Sequence, residues 1–339
     1  MTNSSDELER ARILYPPAED SYERLMRRRD RRQASSRLAA GIVALMITVL
    51  TLGAVFIAFR GPHDGTLVGS STSTSGAPAS AVPTRMVFER MQGGVRNLFI
   101  ADLDGSNISR ITTGGNDQAG ALSPDGTEVV YSSEQGLVLI NVVGSGQTQL
   151  TTEYDFVPSW SPDGSQIAFA RAGFDNAMSI FVMNADGSGV QRLTPPGNND
   201  YGPPSWSPDG SQILFQRASA NGARTDVWEM NADGSNARML VPDADTPRWS
   251  PDGTRIAFIR GYEVWVMNAD AAGTSPARIT DLGSRADAGG IVWSPDSTEI
   301  AFSHDEAVWV VAADGTGLSR TGLPTGASPT SWGRSPAGS

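Results

Sequence analysis

The sequence predicts an all-β, six-bladed β-propeller closed by its C-terminal strand and preceded by a single transmembrane helix, and three observations carry that expectation. Tryptophans at 160, 206, 249, 293 and 332 are separated by 46, 43, 44 and 39 residues, the period of a four-stranded propeller blade. A second motif, FVMNADGSG at 181–189 and WEMNADGSN at 228–236, keeps step with the first. Ahead of both lies an uncharged run of 22 residues, Leu38 to Phe59.

Taken in chain order, residues 1–37 are an arginine-rich segment expected in the cytoplasm. Residues 38–59, as a helix, would span about 33 Å against a hydrocarbon core of about 30 Å. Arg27, Arg28, Arg29, Arg31 and Arg32 precede this run and only Arg60 follows it closely, so the positive-inside rule puts the N-terminus in the cytoplasm and the propeller outside the cell membrane. A cleaved signal peptide fits less well, because the run is long and 37 residues precede it. Residues 4–33 admit two readings. One is a topology signal held by the anionic headgroups of the lipid bilayer, and the other is a docking segment for a cytoplasmic regulator. Residues 60–84, rich in Gly, Ser, Thr, Ala and Pro, read as a flexible linker. The propeller is expected over 85–333, with a tail at 334–339.

One repeat unit runs from an inner strand ending at Trp160, through a turn at Ser161-Pro162-Asp163-Gly164, into the strand QIAFA. A variable loop, the strand SIFVMN, an Ala-Asp-Gly turn and the strand VQRLT complete it. Proline presets φ at the second turn position, Asp bonds its own backbone, and Gly accepts the left-handed conformation that returns the chain as a hairpin. Trp206, Pro208, Asp209 and Gly210 repeat the device, and Trp249 and Trp293 mark later copies. The recurrent turn aspartates therefore have a structural task already. RMVFER, NLFIAD and ISRIT, between residues 85 and 112, supply three strands with no inner strand before them. The missing strand is ASPTSW, Ala327 to Trp332, so the C-terminus is expected to close blade 1.

The stretch WSPDGSQIAFAR with IFVMNADGSGVQRLT resembles the WD-like repeat of TolB-type β-propellers over about residues 85–333. The resemblance implies a six-bladed propeller that binds other proteins or ligands outside the cytoplasm, usually without catalysis. The separate N-terminal globular domain of that family is not expected here, and the arrangement is similar to membrane-tethered propellers of bacterial envelopes.

Composition narrows the chemistry. There is no cysteine and there are two histidines, far apart, so thiol catalysis and clustered-imidazole metal sites are excluded. Residues 1–60 hold ten arginines against seven acids, so the net −11 leaves −14 on residues 61–339, and no nucleic-acid partner is expected. No catalytic residue is assigned. The leading expectation is a non-catalytic envelope module with a protein or other envelope ligand, for sensing or scaffolding. The alternative is a propeller enzyme acting on an envelope polysaccharide or peptide through paired carboxylates.

Function is expected on the face built from the loops that differ between blades. Counting back five or six residues from the Trp position, which Leu122 fills in blade 2, finds Asp117, Asp155, Asp200, Asp243 and Asp287. Two readings stand side by side. The five form an acidic collar that takes a ligand or a cation, calcium being the one suited to several oxygen ligands, or each Asp bonds local N–H groups of its own loop. Beyond that calcium, no cofactor is expected. Asp102–Asn107, DLDGSN, resembles the start of a calcium loop but has Thr113 where the twelfth-position Glu belongs.

Overall fold

Each Ser-Pro-Asp-Gly turn folds its flanking apolar runs into a hairpin, and the hairpins define the strands of this protein. The computed structural model describes residues 84–335 apart from 174–177, 198–199, 220–223, 271–274 and 284–289. The expected cytoplasmic segment, transmembrane helix, and linker up to residue 83 lie outside the described residues, as does the tail from 336. Among the described residues no helix is long and apolar enough to cross a membrane.

Strands β1 (Thr84–Gln92), β2 (Val95–Ala101) and β3 (Ser109–Arg110) come first. Blade 2 holds β4 (Gln118–Leu122), β5 (Glu128–Ser133), β6 (Gly136–Asn141) and β7 (Thr148–Gln149). Blade 3 holds β8 (Asp155–Trp160), β9 (Gln166–Ala172), β10 (Met178–Asn184) and β11 (Gln191–Arg192). Blade 4 holds β12 (Asp200–Trp206), β13 (Gln212–Ala218), β14 (Thr225–Asn231) and β15 (Arg238–Val241). Blade 5 holds β16 (Asp245–Trp249), β17 (Arg255–Arg260), β18 (Glu263–Asn268) and β19 (Ala277–Arg278). Blade 6 holds β20 (Ile291–Trp293), β21 (Glu299–His304), β22 (Ala307–Ala312) and β23 (Ser319–Arg320), and β24 (Ala327–Arg334) ends the described chain. Five sheets use consecutive strands, while the sixth has the order β24-β1-β2-β3. The expected closure is therefore observed, with Trp332 opposite Met86 and Ala327 opposite Arg90.

The turn chemistry repeats. Ser161 Oγ donates to Asp163 Oδ1 at 2.6 Å and accepts from Gln166 N at 2.9 Å, while Gly164, at φ 71°, donates its N–H to Ser161 O at 2.9 Å. Ser123, Ser207, Ser250 and Ser294 make the same 2.6 Å bond to Asp125, Asp209, Asp252 and Asp296. Positive φ is why glycine stands at Gly164.

No blade has a core of its own. Each of the six apolar clusters joins two neighbouring blades: Ala168, Ile180 and Val182 of blade 3 pack with Trp206, Ile213 and Phe215 of blade 4, and the other seams follow suit. The closing seam sets Met86, Phe88 and Phe99 of blade 1 against Val292, Val308 and Val310 of blade 6. One fully buried aromatic recurs on the second strand of every blade, as Phe88, Tyr131, Phe169, Phe215, Phe258 and Phe302. Each contributes about 1.5–3 kcal/mol of burial. The inner-strand tryptophans also bond across the seams. Trp160, Trp206 and Trp293 donate Nε1 to the carbonyls of Ala121, Ser159 and Arg248 in the preceding blade at 3.1–3.2 Å.

Two predictions follow from the closure and the turns. A chain ending at Gly326 loses the inner strand of blade 1 and leaves β1 as an open edge, so its melting transition should fall sharply and broaden; an unchanged calorimetric melt would refute closure by β24. In acid, the bond from Ser161 holds Asp163 down at about 2, and serine bonds likewise lower Asp125, Asp209 and Asp296. Depressed carboxylates stabilise the fold fully above their unfolded value, about 3.9, and lose that contribution as pH falls toward the folded value. Thermal stability should thus decline between about pH 4 and 2, and Ser161→Ala should reduce the slope of Tm against pH across that window.

Candidate functional site

A bulge interrupts the inner strands near their start. Ala119, Val157, Gly202, Thr246 and Gly290 all have positive φ, at 54°, 47°, 86°, 45° and 66°. Pairing with the second strand slips beside the first four of these. An extra residue bends the strand and re-aims its side chains, and here it turns backbone and side chains toward the middle of the ring.

Two cavities lie there. The one at the loop end has a volume of about 340 Å³ and is lined by Glu89, Gln118, Phe156, Val157, Thr246 and Arg248, among others. The one at the turn end, about 250 Å³, is ringed by Trp160, Trp206, Trp249, Trp293 and Trp332, and Arg248 lines it too. Arg248 therefore stands between the two. Its Nη1 donates to Pro203 O and Pro247 O, both at 3.2 Å, and among the described residues no carboxylate pairs with it. Burial without a counter-charge pulls the guanidinium down to about 10, so it remains a cation at neutral pH. Glu89 is committed elsewhere, accepting from Ala119 N at 3.1 Å and lying 3.4 Å from Arg96 Nη1.

The expected collar aspartates have separate fates. Asp155 is buried at the start of β8, where Arg171 Nε and Nη2 reach its two oxygens at 2.6 and 2.8 Å. Asp200 is buried and held by Arg217 in the same way. Both arginines stack on aromatics of their own blade. Arg171 lies 5.3 and 5.0 Å from the Phe169 and Phe181 ring centres, and Arg217 5.4 and 3.9 Å from Phe215 and Trp228. The hydrogen bond to Asp155 raises the Arg171 pKa. Asp243 is half exposed and accepts from Arg224 Nη1 at 2.5 Å. Asp117 is buried, and desolvation pushes its carboxyl up. Asp287 lies outside the described residues. Among the described residues no group of three or more His, Asp or Glu side chains is arranged to hold a metal ion. In DLDGSN, Asp102 accepts from Asn107 Nδ2 at 2.6 Å and Asp104 from Ser106 N at 2.9 Å, so both serve the turn.

Strand register exposes a pattern that counting back from tryptophan misses. Asp155 pairs with Arg171 and Asp200 with Arg217. In blade 5 the pairing of Asp245 with Ile259 sets Ala244, not Asp243, opposite Arg260. Arg260 keeps its stack, 5.3 and 5.5 Å from the Phe258 and Trp265 rings, and donates Nη2 to Pro242 O at 2.9 Å. Its Nε is buried with no partner. In blade 2 the reverse holds, for Ser133 occupies the arginine position and Asp117 the acid position. Blade 6 places His304 there, edge-on to Trp309. A sequence signal for this position exists: it lies two residues beyond the buried aromatic, itself six residues after the turn Asp, as in Asp163, Phe169, Arg171.

Residues 137–335, more than half of the chain, match the family model described as the TolB beta propeller domain. A TolB homolog of Chlorobaculum tepidum is 39% identical over 124 residues, 35% of this chain and 28% of that protein. The Tol-Pal system protein TolB of Francisella tularensis subsp. mediasiatica is 32% identical over 111 residues, 30% of this chain and 26% of that protein. The alignments thus span little more than a quarter of these curated relatives. Among solved structures, TolB from Acinetobacter baumannii superposes with a TM-score of 0.62 at 19% identity, covering 73% of this chain and 66% of that one. A putative TolB from Agrobacterium tumefaciens gives 0.58 at 20% identity, covering 74% and 94%. At these identities the two structures speak for the fold alone.

An unpaired buried donor costs about 1–3 kcal/mol. Ala244→Asp places a carboxylate opposite Arg260, as in blades 3 and 4, and should raise Tm by several degrees in calorimetry. A lower Tm would show that blade 5 does not share their register.

Proposed function

The chain belongs to the TolB β-propeller domain family, and on that premise we propose that it is a non-catalytic module of the cell envelope that binds a protein partner on the loop face of its propeller. The observation that carries this reading is a set of large side chains exposed at the loop end of three blades. Tyr154, Tyr262 and Met91 are about half exposed, at 54%, 50% and 53%, on loops and hairpin ends of three blades. They stand at the same end of the blades as the cavity that Arg248 lines. Tyrosine, methionine and arginine are the residue types enriched where proteins bind one another, and large side chains left exposed on one face mark such surfaces.

A catalytic reading on polysaccharide or peptide would use two free carboxylates at a set spacing. Asp155 and Asp200 are each committed to an arginine, which favours binding over catalysis. In this proposal residues 38–59 anchor the chain in the membrane and the linker holds the propeller outside the cytoplasm. Residues 1–37 then lie against anionic lipid or a cytoplasmic regulator. The names of the Tol-Pal relatives support a place in an envelope assembly.

Crosslinking of the full chain in envelope preparations should recover a protein partner through the loop face. The triple variant Tyr154→Ser, Tyr262→Ser, Met91→Ser should lose that partner while keeping its melting temperature. Equal recovery by both proteins would overturn the assignment of the face.

A further inference from the structure

Blade 2 contains the acid of a repeated ion pair without its base. Superposing the registers of blades 2 and 3 is direct, because Leu122 pairs with Val129 as Trp160 pairs with Ile167, and Tyr131 pairs with Val138 as Phe169 pairs with Phe181. Asp117, Tyr131, Ser133 and Val138 thereby take the places of Asp155, Phe169, Arg171 and Phe181. In blade 3 the space between acid and aromatics is filled by the Arg171 side chain. In blade 2 that side chain is replaced by serine, and a cavity of about 260 Å³ stands there, lined by Asp117, Tyr131, Ser133 and Val138.

The walls suit a planar cation. Asp117 is 5% exposed, and among the described residues no arginine is in ion-pair contact with it. Glu134 adds a second carboxylate to the lining, its Oε1 accepting from Asn116 Nδ2 at 3.1 Å. Burial pushes the Asp117 carboxyl up, against hydrogen bonds from the Thr112 side chain and the Gly115 backbone and, least of all, the Arg110 charge; the Arg110 guanidinium is spent on Thr112 O at 2.6 Å and Asn97 Oδ1 at 2.8 Å. Tyr131 supplies the ring equivalent to Phe169, on which Arg171 stacks in blade 3, and its hydroxyl is fixed by Gln147 Nε2 at 2.9 Å. A buried carboxylate beside an aromatic face is matched by a guanidinium better than by an ammonium, because the fork donates two parallel bonds and its plane lies on the ring.

We propose that the cavity between blades 1 and 2 binds a guanidinium group from outside the chain, which stands where Arg171 and Arg217 stand in blades 3 and 4. The group comes from a free small guanidinium compound or from an arginyl side chain of a peptide. The site lies at the loop end of blade 2 but is lined by none of Tyr154, Tyr262 and Met91, so it does not depend on a partner docking on them.

Calorimetric titration of the full-length chain tests it. N-acetyl-arginine amide and methylguanidinium should bind, while the citrulline analogue, uncharged but of the same shape, should give no heat and the lysine analogue should bind at least about tenfold more weakly. Asp117→Asn should weaken arginine amide by about tenfold or more. Ser133→Arg should abolish binding and raise Tm, since the chain then fills its own site. Should that variant fail to fold, the Asp117 carboxyl carbon signal in NMR, shifted by arginine amide and not by the citrulline analogue, gives the same answer. Equal affinity for methylguanidinium and a Gly-Arg-Gly peptide upholds a small-molecule site, and clearly tighter peptide binding upholds an arginyl ligand. Equal heats from the arginine and citrulline compounds, or undiminished affinity in folded Asp117→Asn, overturn the proposal.

Discussion

The structure depends on the fact that a blade buries its apolar side chains only against another blade. A four-stranded sheet of this size has two faces to cover, and the clusters here all straddle a seam between neighbours. Closing the ring is therefore a thermodynamic requirement rather than an ornament of topology. An open array would leave the faces of Phe88 and Val310 in water and the backbone of β1 unpaired. Sharing blade 1 between the two ends of the chain meets both needs, since β24 contributes a ladder to β1 and Ala327 to the seam.

Within that frame the repeat positions differ in how far they vary. The aromatic of the second strand is kept in all six blades. Two residues further on, at the loop end, the chain holds Arg90, Ser133, Arg171, Arg217, Arg260 and His304. Opposite this varied position stand Asp155 and Asp200 in two blades, Asp117 in a third and Ala244 in a fourth. Acid and base are matched where both occur, because a carboxylate buried without a partner is costly. In blade 5 the missing acid leaves a buried Nε, and in blade 2 the missing base leaves a cavity. Arg248 stands between the two ends of the ring, a buried cation in a domain of net negative charge.

Much of this was legible in the sequence. Ser-Pro-Asp-Gly and Ala-Asp-Gly turns are local devices, set by the φ preference of Pro and Gly and by a side chain reaching its own backbone, so spacing alone located the hairpins. The tryptophan period counted the blades, and the lack of an inner strand before Arg85 pointed to Trp332. The five aspartates upstream of the tryptophans were also visible, as candidates for one collar. Their partners were not, because Arg171 and Arg217 are 16 and 17 residues away and meet the acids only through strand pairing.

The bulge near the start of the inner strand separates the two kinds of knowledge. Its length differs between blades, six residues from Asp200 to Trp206 but five from Asp155 to Trp160, so a count from the tryptophan drifts by a residue and selects Asp243 in place of Ala244. The sequence by itself determined strand order, turn positions and closure, because the turns follow from backbone preferences within a few residues and the repeat count leaves one inner strand to come from the C-terminal end. Only the tertiary structure decided which carboxylate is paired, which is left beside a cavity, and that Arg248 stands at the centre. Those outcomes turn on the register between strands, and a single inserted residue there redirects every side chain that follows.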